Sequence, residues 1–248
     1  MTDKIKVKTN QIFDLLRSWL EAQTSSKSFT WLDNELTAIG KKPEEKCLFI
    51  AFSRASRYLE KQKLKLSAKE LQAANEIVIG WNPVNWTIDQ IGRTLLVLAF
   101  AGKNEYNYTA TLDKIFAAAD VREAIALYQS LSLLPHPEKL KLRAAEGIRS
   151  NITSVFNAVA LYNPYPAQYL DDSAWNQMVL KALFIGSPLH PIHGLKQRNN
   201  EQLSQMLIDY ARERLAAKRK VNPQLWQLAV PFKPQAVASL EAAFRTIN

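Results

Sequence analysis

The sequence predicts an all-α fold of roughly eleven or twelve short helices, the length and spacing ordinary globular helices have. Apolar residues recur at i, i+3, i+4 and i+7 along most of the 248 residues, and polar-residue pairs mark helix starts. No stretch alternates apolar with polar residues as a half-buried strand does. Short connections favour antiparallel pairs, so a HEAT- or armadillo-like α-solenoid is the expected topology. No residue pattern repeats at a fixed period, which keeps a compact irregular helical domain as the alternative. No long Pro-, Gly- or Ser-rich linker divides residues 1–248, so the chain reads as a single helical domain.

In chain order, Ile12, Leu15, Leu16, Trp19 and Leu20 form the buried stripe of a helix over 11–23. A second helix is expected over 31–39, closed by Gly40 at the position after the cap, and a third from Pro43 with Glu44 and Glu45 to near Lys61. Capping boxes then pair Ser67 with Glu70, Thr87 with Gln90 and Asp120 with Glu123. The stripe after Ser67 carries its helix through Val78 to Trp81. The segment after Thr87, IDQIGRTLLVLAFA, is apolar nearly all round and reads as the central helix.

A loop over 102–109 leads to a short helix over 112–119, and the Asp120 helix runs to Leu134. Helix resumes at Pro137, again through Ile152, Val155, Phe156 and Val159, and again after an Asn199 or Asn200 cap. A turn over 222–228 and a last helix from Pro234, bearing Val237, Leu240 and Phe244, complete the chain.

Composition narrows function mainly by exclusion. One cysteine, Cys47, rules out an intramolecular disulfide and any multi-cysteine metal site, and its apolar CLFIAF surroundings predict a buried, inert thiol. The N-terminus lacks an apolar signal core, and the longest apolar run is Leu95–Ala101, so a cytoplasmic protein without a transmembrane segment is expected. A net charge of +9 is compatible with acidic partners or peripheral contact with anionic lipid. Its excess at Lys4, Lys6, Lys8 and at Arg212, Arg214, Lys218, Arg219, Lys220 is explained by solvated faces, which leaves a helical-repeat nucleic-acid binder as the weakest alternative. Nucleotide-binding and hydrolase motifs are missing, so no cofactor is expected and the reading leans away from an enzyme.

The segment 163–194 concentrates the unusual features. Pro164, Pro166, Pro188 and Pro191 predict two rigid extended loops around a helix from Asp172, its N-cap, to Gly186. Trp175, Met178, Val179, Ala182 and Leu183 share its apolar face. Asn176, Gln177 and Lys181 occupy other faces, either as a polar recognition patch or as an ordinary wet surface. Tyr162, Tyr165 and Tyr169 offer rings with polar tips, suited to an aromatic ligand, a protein interface or loop packing. A metal at His190 and His193 would need at least one more donor, for which Asp171, Asp172 and His136 are the candidates, and only the spacing supports it; hydrogen bonding to loop backbone is the favoured reading. The candidate binding surface is therefore Tyr165, Tyr169, Asn176, Gln177, Lys181, His190 and His193, with no metal.

The runs N-P-Y-P-A-x-Y at 163–169, A-W-N-Q-M-V-L-K-A-L-F at 174–184, P-L-H-x-I-H-G-L at 188–195 and M-L-I-D-Y-A-R-E-R at 206–214 resemble the EboA family. The likeness is densest over 151–232. What it implies is a place in the ebo gene cluster, beside a UbiA-like prenyltransferase and metabolic-enzyme homologues. In cyanobacteria that cluster is associated with delivering the precursor of the pigment scytonemin to the periplasm. Expected partners are other ebo proteins or a small aromatic or isoprenoid intermediate. The resemblance supplies no catalytic residues, and an enzyme acting on such an intermediate is the rival reading.

Overall fold

A helix with no polar face must be surrounded, and Ile88–Ala101 is: every residue in it except Ala99 is buried. The structure, a computed structural model, describes residues 3–101 and 107–245, with side chains for 6–101 and 107–244. The chain divides into two compact units, Met1–Tyr165 and Pro166–Asn248. Fourteen α-helices and no strands occur among the described residues, with one isolated antiparallel bridge between Lys63 and Thr87.

The first unit contains α1 (Asp3–Gln23), α2 (Ser26–Lys41), α3 (Glu45–Tyr58), α4 (Ala68–Ile77), α5 (Ile88–Ala101), α6 (Tyr108–Ala118), α7 (Val121–Ser130), a 3₁₀ turn (Pro137–Leu140), α8 (Lys141–Arg149) and α9 (Thr153–Ala160). A short α10 (Tyr165–Tyr169) follows. The second unit has α11 (Asp172–Ile185), α12 (Glu201–Ala216), α13 (Gln224–Ala229) and α14 (Pro234–Arg245).

In the first unit α5 packs against α1, α2, α3, α6 and α7, and α7 packs in turn against α9. Leu16, Leu20, Ile91, Leu95 and Phe100 are wholly buried there, each worth roughly 1.5–3 kcal/mol of apolar transfer. One helix ringed by five is the compact alternative; a stack in which each layer touches only its neighbours would not place it so. The same crowding brings three indoles together: Trp81 lies 5.8 Å from Trp19 and 5.9 Å from Trp86, between ring centroids. In the second unit, α12 is the hub, packing against α11, α13 and α14.

Charge enters the core of the first unit at the start of α5. Asp89 and Arg93 are both buried, at 0% and 1% exposure. Arg93 Nη1 donates to Asp89 Oδ2 at 2.8 Å, and Arg122 Nη2 donates to both Asp89 oxygens at 3.1 Å. Thr87 Oγ1 donates to Oδ1 at 2.6 Å. The carboxylate is thus satisfied from three directions, the condition under which a buried charge is tolerated.

Several helix ends differ from expectation. Gly40 lies inside α2, whose cap is Lys42, and α3 starts at Glu45 rather than Pro43. The α4 helix stops at Ile77, so Trp81 sits in the following turn, held by its N–H to Val78 O at 2.9 Å. The α7 helix ends at Ser130, with turns continuing to 134. Both partners of the Ser67–Glu70 and Asp120–Glu123 capping boxes engage. At Thr87 only the return bond forms, because its hydroxyl serves Asp89 instead. The segment 222–228 is largely helix, in α13. Cys47 is half-buried rather than fully buried. The loop expected before α6 lies outside the described residues at 102–106, as does the side chain of Lys4, and Tyr108 and Thr109 belong to α6.

Candidate functional site

A cleft of about 260 Å³ opens in the first unit between the loop before α5, the α7 helix and the end of α9. Its wall carries five carboxamides, Asn82, Asn85, Gln90, Gln129 and Asn157, and two aromatic side chains, Trp86 and Tyr162. No carboxylate, amine, imidazole or thiol is among the lining residues described. Hydrogen-bonding power without charge, beside aromatic faces, suits an uncharged, partly planar ligand.

Local structure fixes the wall. Asn82-Pro83 opens a tight turn: Asn82 Oδ1 accepts from Val84 N–H at 3.2 Å, and Trp86 N–H donates to Pro83 O at 3.0 Å. The loop is tied down by Leu64 N–H donating to Trp86 O at 2.9 Å and Lys63 Nζ donating to Asn85 Oδ1 at 3.1 Å. Gln90, in the first turn of α5, accepts from Thr87 N–H through Oε1 at 2.9 Å. On the opposite wall Tyr162 adopts φ 58°, a left-handed conformation costly to a residue with a Cβ. Its carbonyl accepts from Asn82 N–H at 3.2 Å, coupling the two Asn-Pro turns that begin at 82 and 163. Gln129 Oε1 is buried with no hydrogen-bond partner among the described residues. Strain and an unspent polar atom at one cleft are both marks of a site built for something besides stability.

A second cleft, about 200 Å³, is more apolar, with Phe49, Phe52 and Ile115 in its wall and Lys114 and Glu123 among its polar lining. Both charges are occupied: Lys114 is held by Glu45 at 2.8 and 2.9 Å, and Glu123 caps α7 through Asp120 N–H at 3.0 Å.

The residues singled out in 163–194 are placed in different settings. Tyr165, in the first unit, is wholly buried, its hydroxyl donating to Pro137 O and its N–H to Asn163 Oδ1 at 3.0 Å. In the second unit Tyr169 is half-buried. Asn176 is buried, not wet, because it exchanges amide bonds with Asn200 at 2.9 and 3.2 Å while Asn200 Oδ1 caps α12 at Leu203 N–H. Gln177 is exposed and Lys181 half-buried; four apart on α11, they share a face with Phe184, which is 75% exposed. His190 is exposed, and half-buried His193 has its pKa lowered by burial, as does Lys181. Among the described residues, no three His, Cys, Asp or Glu side chains gather as a metal site.

The two proline-rich loops are also not extended. The first folds into α10, and the second is a run of turns with Gly194 at φ 78°, where a Cβ would meet Ala167 Cβ at 2.8 Å. The N-cap of α11 is Asp171, whose Oδ1 accepts from Ala174 N–H at 2.8 Å; Asp172 instead pairs with Arg198. The cleft escaped the sequence reading because its wall comes from positions 82 to 162. The one local signal is that two of the three Asn-Pro steps, at 82–83 and 163–164, flank the cleft; the third, at 222–223, does not.

The family model described as metabolite traffic protein EboA matches residues 12–230. Comparison with curated proteins and with solved structures gives no match. No helix among the described residues is long and apolar enough to cross a membrane.

Proposed function

The chain belongs to the EboA family of metabolite traffic proteins, and from that premise we propose that it is a non-catalytic accessory protein that holds a small pathway intermediate in the carboxamide cleft. It acts on the cytoplasmic side, within the ebo cluster, in the processing or export to the periplasm of a secondary-metabolite precursor, of the scytonemin type in cyanobacteria. The observation that carries this reading is the cleft wall: five carboxamides and two aromatic side chains, with no acid, base or nucleophile of ordinary strength among them. Such a wall can recognise and release a neutral molecule, and its two hydroxyls, on Ser154 and Tyr162, have no carboxylate or imidazole beside them in the lining to take a proton. That favours a binder over an enzyme of the same pathway.

The test is native mass spectrometry of the purified chain after exposure to a small-molecule extract of cells carrying the cluster. Ser154 lines the cleft yet is exposed, so Ser154→Trp fills the mouth without disturbing the core. Wild type should retain a small mass that the variant loses. Equal retention by both proteins would remove the cleft from consideration.

A second reading is favoured by one observation on α11. Exposed Gln177 and Phe184 flank half-buried Lys181 in an apolar-and-polar stripe, and together with His190 and His193 they make a surface for another ebo protein. Pull-down with each cluster product should lose one partner in Phe184→Asp, and an unchanged partner set would rule this surface out.

A further inference from the structure

Within the carboxamide cleft, the hydrogen-bonding direction is not free. Three of the amide oxygens are already engaged: Asn82 Oδ1 by Val84 N–H, Asn85 Oδ1 by the Lys63 ammonium and Gln90 Oε1 by Thr87 N–H. Backbone N–H and ammonium groups only donate, so each partner must face the oxygen, and the orientation of all three amides follows from chemistry alone. What each has left is its NH2 group, with no acceptor among the described residues. Gln90 presents its pair from a position only 8% exposed. Gln129 supplies the complement, a buried acceptor, Oε1, without a donor.

Resting on the reading that this cleft takes a metabolite, we infer that its ligand is an uncharged aromatic molecule bearing a carbonyl, with a hydroxyl or N–H group as its donor. The ring packs against Tyr162 with buried Trp86 behind it, the carbonyl oxygen accepts through its two lone pairs from NH2 groups of Asn82, Asn85 and Gln90, and the hydroxyl or N–H donates to Gln129 Oε1. A hydrocarbon or a protonated amine would leave those NH2 donors unpaired as water is displaced, which is what makes such a site selective. A carboxylate-only ligand would find no cation in the wall other than the Lys63 ammonium already held at Asn85.

The experiment uses the full chain, with its Ile δ1 methyl groups labelled, because Ile125 lines the cleft and reports occupancy. Two probes differ only in the feature at issue: 4-hydroxyacetophenone carries the carbonyl and the hydroxyl, and 4-ethylphenol lacks the carbonyl. The carbonyl probe should bind about fivefold more tightly, the contribution of about one hydrogen bond. Asn82→Asp and Asn85→Asp keep the oxygen that Val84 and Lys63 use but replace the NH2 donor by an acceptor, so the fold has little reason to change. Either variant should erase the preference while leaving 4-ethylphenol binding within about twofold. Equal affinity of the two probes in wild type, or a preference that survives both variants, overturns the carbonyl assignment and leaves the cleft as a binding site. Saturating concentrations of both probes with no movement of the Ile125 methyl would overturn the cleft reading itself and this inference with it.

Discussion

The guanidinium of Arg198 lies 4.9 Å from the ring centroid of Trp175. From that position Nη1 donates to the carbonyls of Pro166, Ala167 and Leu170 at 3.1, 3.4 and 2.8 Å, and Nη2 meets Asp172. One side chain thereby closes the open carbonyl end of α10, orients the start of α11 and covers a buried indole. Its planar fork and face make this combination possible, and an ammonium has neither.

Arg198→Ala should therefore destabilise the second unit by roughly 2–4 kcal/mol, through carbonyls left without their charged donor. Arg198→Lys should recover less than half of that loss. Urea unfolding of both variants checks it, and a lysine variant as stable as wild type would show that charge alone suffices.

Two glycines should respond to alanine in opposite directions. Gly40 lies inside α2 with nothing within 4 Å of an added Cβ, so Gly40→Ala should stabilise by about 0.5–1 kcal/mol through helix propensity. At Gly147 the new Cβ would stand 2.6 Å from Val159 Cγ2 and 2.7 Å from Tyr128 Cε1. Gly147→Ala should cost about 1–3 kcal/mol despite the same propensity gain, because α8 cannot back away from both neighbours. Thermal melts of the pair separate packing from propensity.

Asp89→Asn removes a charge and almost no volume. It leaves Arg93 buried beside a neutral amide, and a loss of roughly 3–5 kcal/mol is expected from breaking a buried pair at one partner. Asp89→Leu combined with Arg93→Met should be less destabilised than Asp89→Leu alone. A double mutant that simply adds the two losses would contradict the coupling.

Acid should weaken the two units in different windows. Burial lowers the His193 pKa below its ordinary 6.5, so the folded state resists the proton that the unfolded chain accepts. Its contribution is complete above about pH 6.5 and fades as pH falls through the lower folded value. For Glu60 burial pushes the pKa up, but bonds from Thr24, the backbone, Ser25 and Ser28 outweigh it and leave the carboxyl below 4.5. That contribution holds above about pH 4.5 and is lost further into acid. Melting curves from neutral to acid pH should show His193→Gln flattening the first decline and Glu60→Gln only the second.

What the chain disclosed before folding was local. Ser67–Glu70 and Asp120–Glu123 announce helix starts because cap and return bond are written within four residues. The all-round apolar run after Thr87 announced a surrounded helix for the same reason: burial on every side is encoded in one short segment. The spacing of Trp81 continues the α4 stripe and so predicts helix, while α4 ends at Ile77 and Trp81 packs instead against Trp19 and Trp86. Asp171 and Asp172 are adjacent and equally fit to cap, and only Arg198, twenty-six positions away, assigns them different work. The buried Asn176 reads as polar surface until Asn200 is seen to complete it. The cleft is harder still, since Gln90, Gln129 and Tyr162 meet only after three helices have packed.

The indole trio of Trp19, Trp81 and Trp86 has an optical consequence. Chromophores with centroids 5.8 and 5.9 Å apart share their excited states, so a change beside one alters the near-ultraviolet circular dichroism of all three. Of these, Trp86 is the one in the cleft wall. A ring bound beside it perturbs the coupled signal, and Trp19→Phe would shrink that signal from a position outside the cleft lining. The protein thus carries its own unlabelled gauge of whether the cleft is filled.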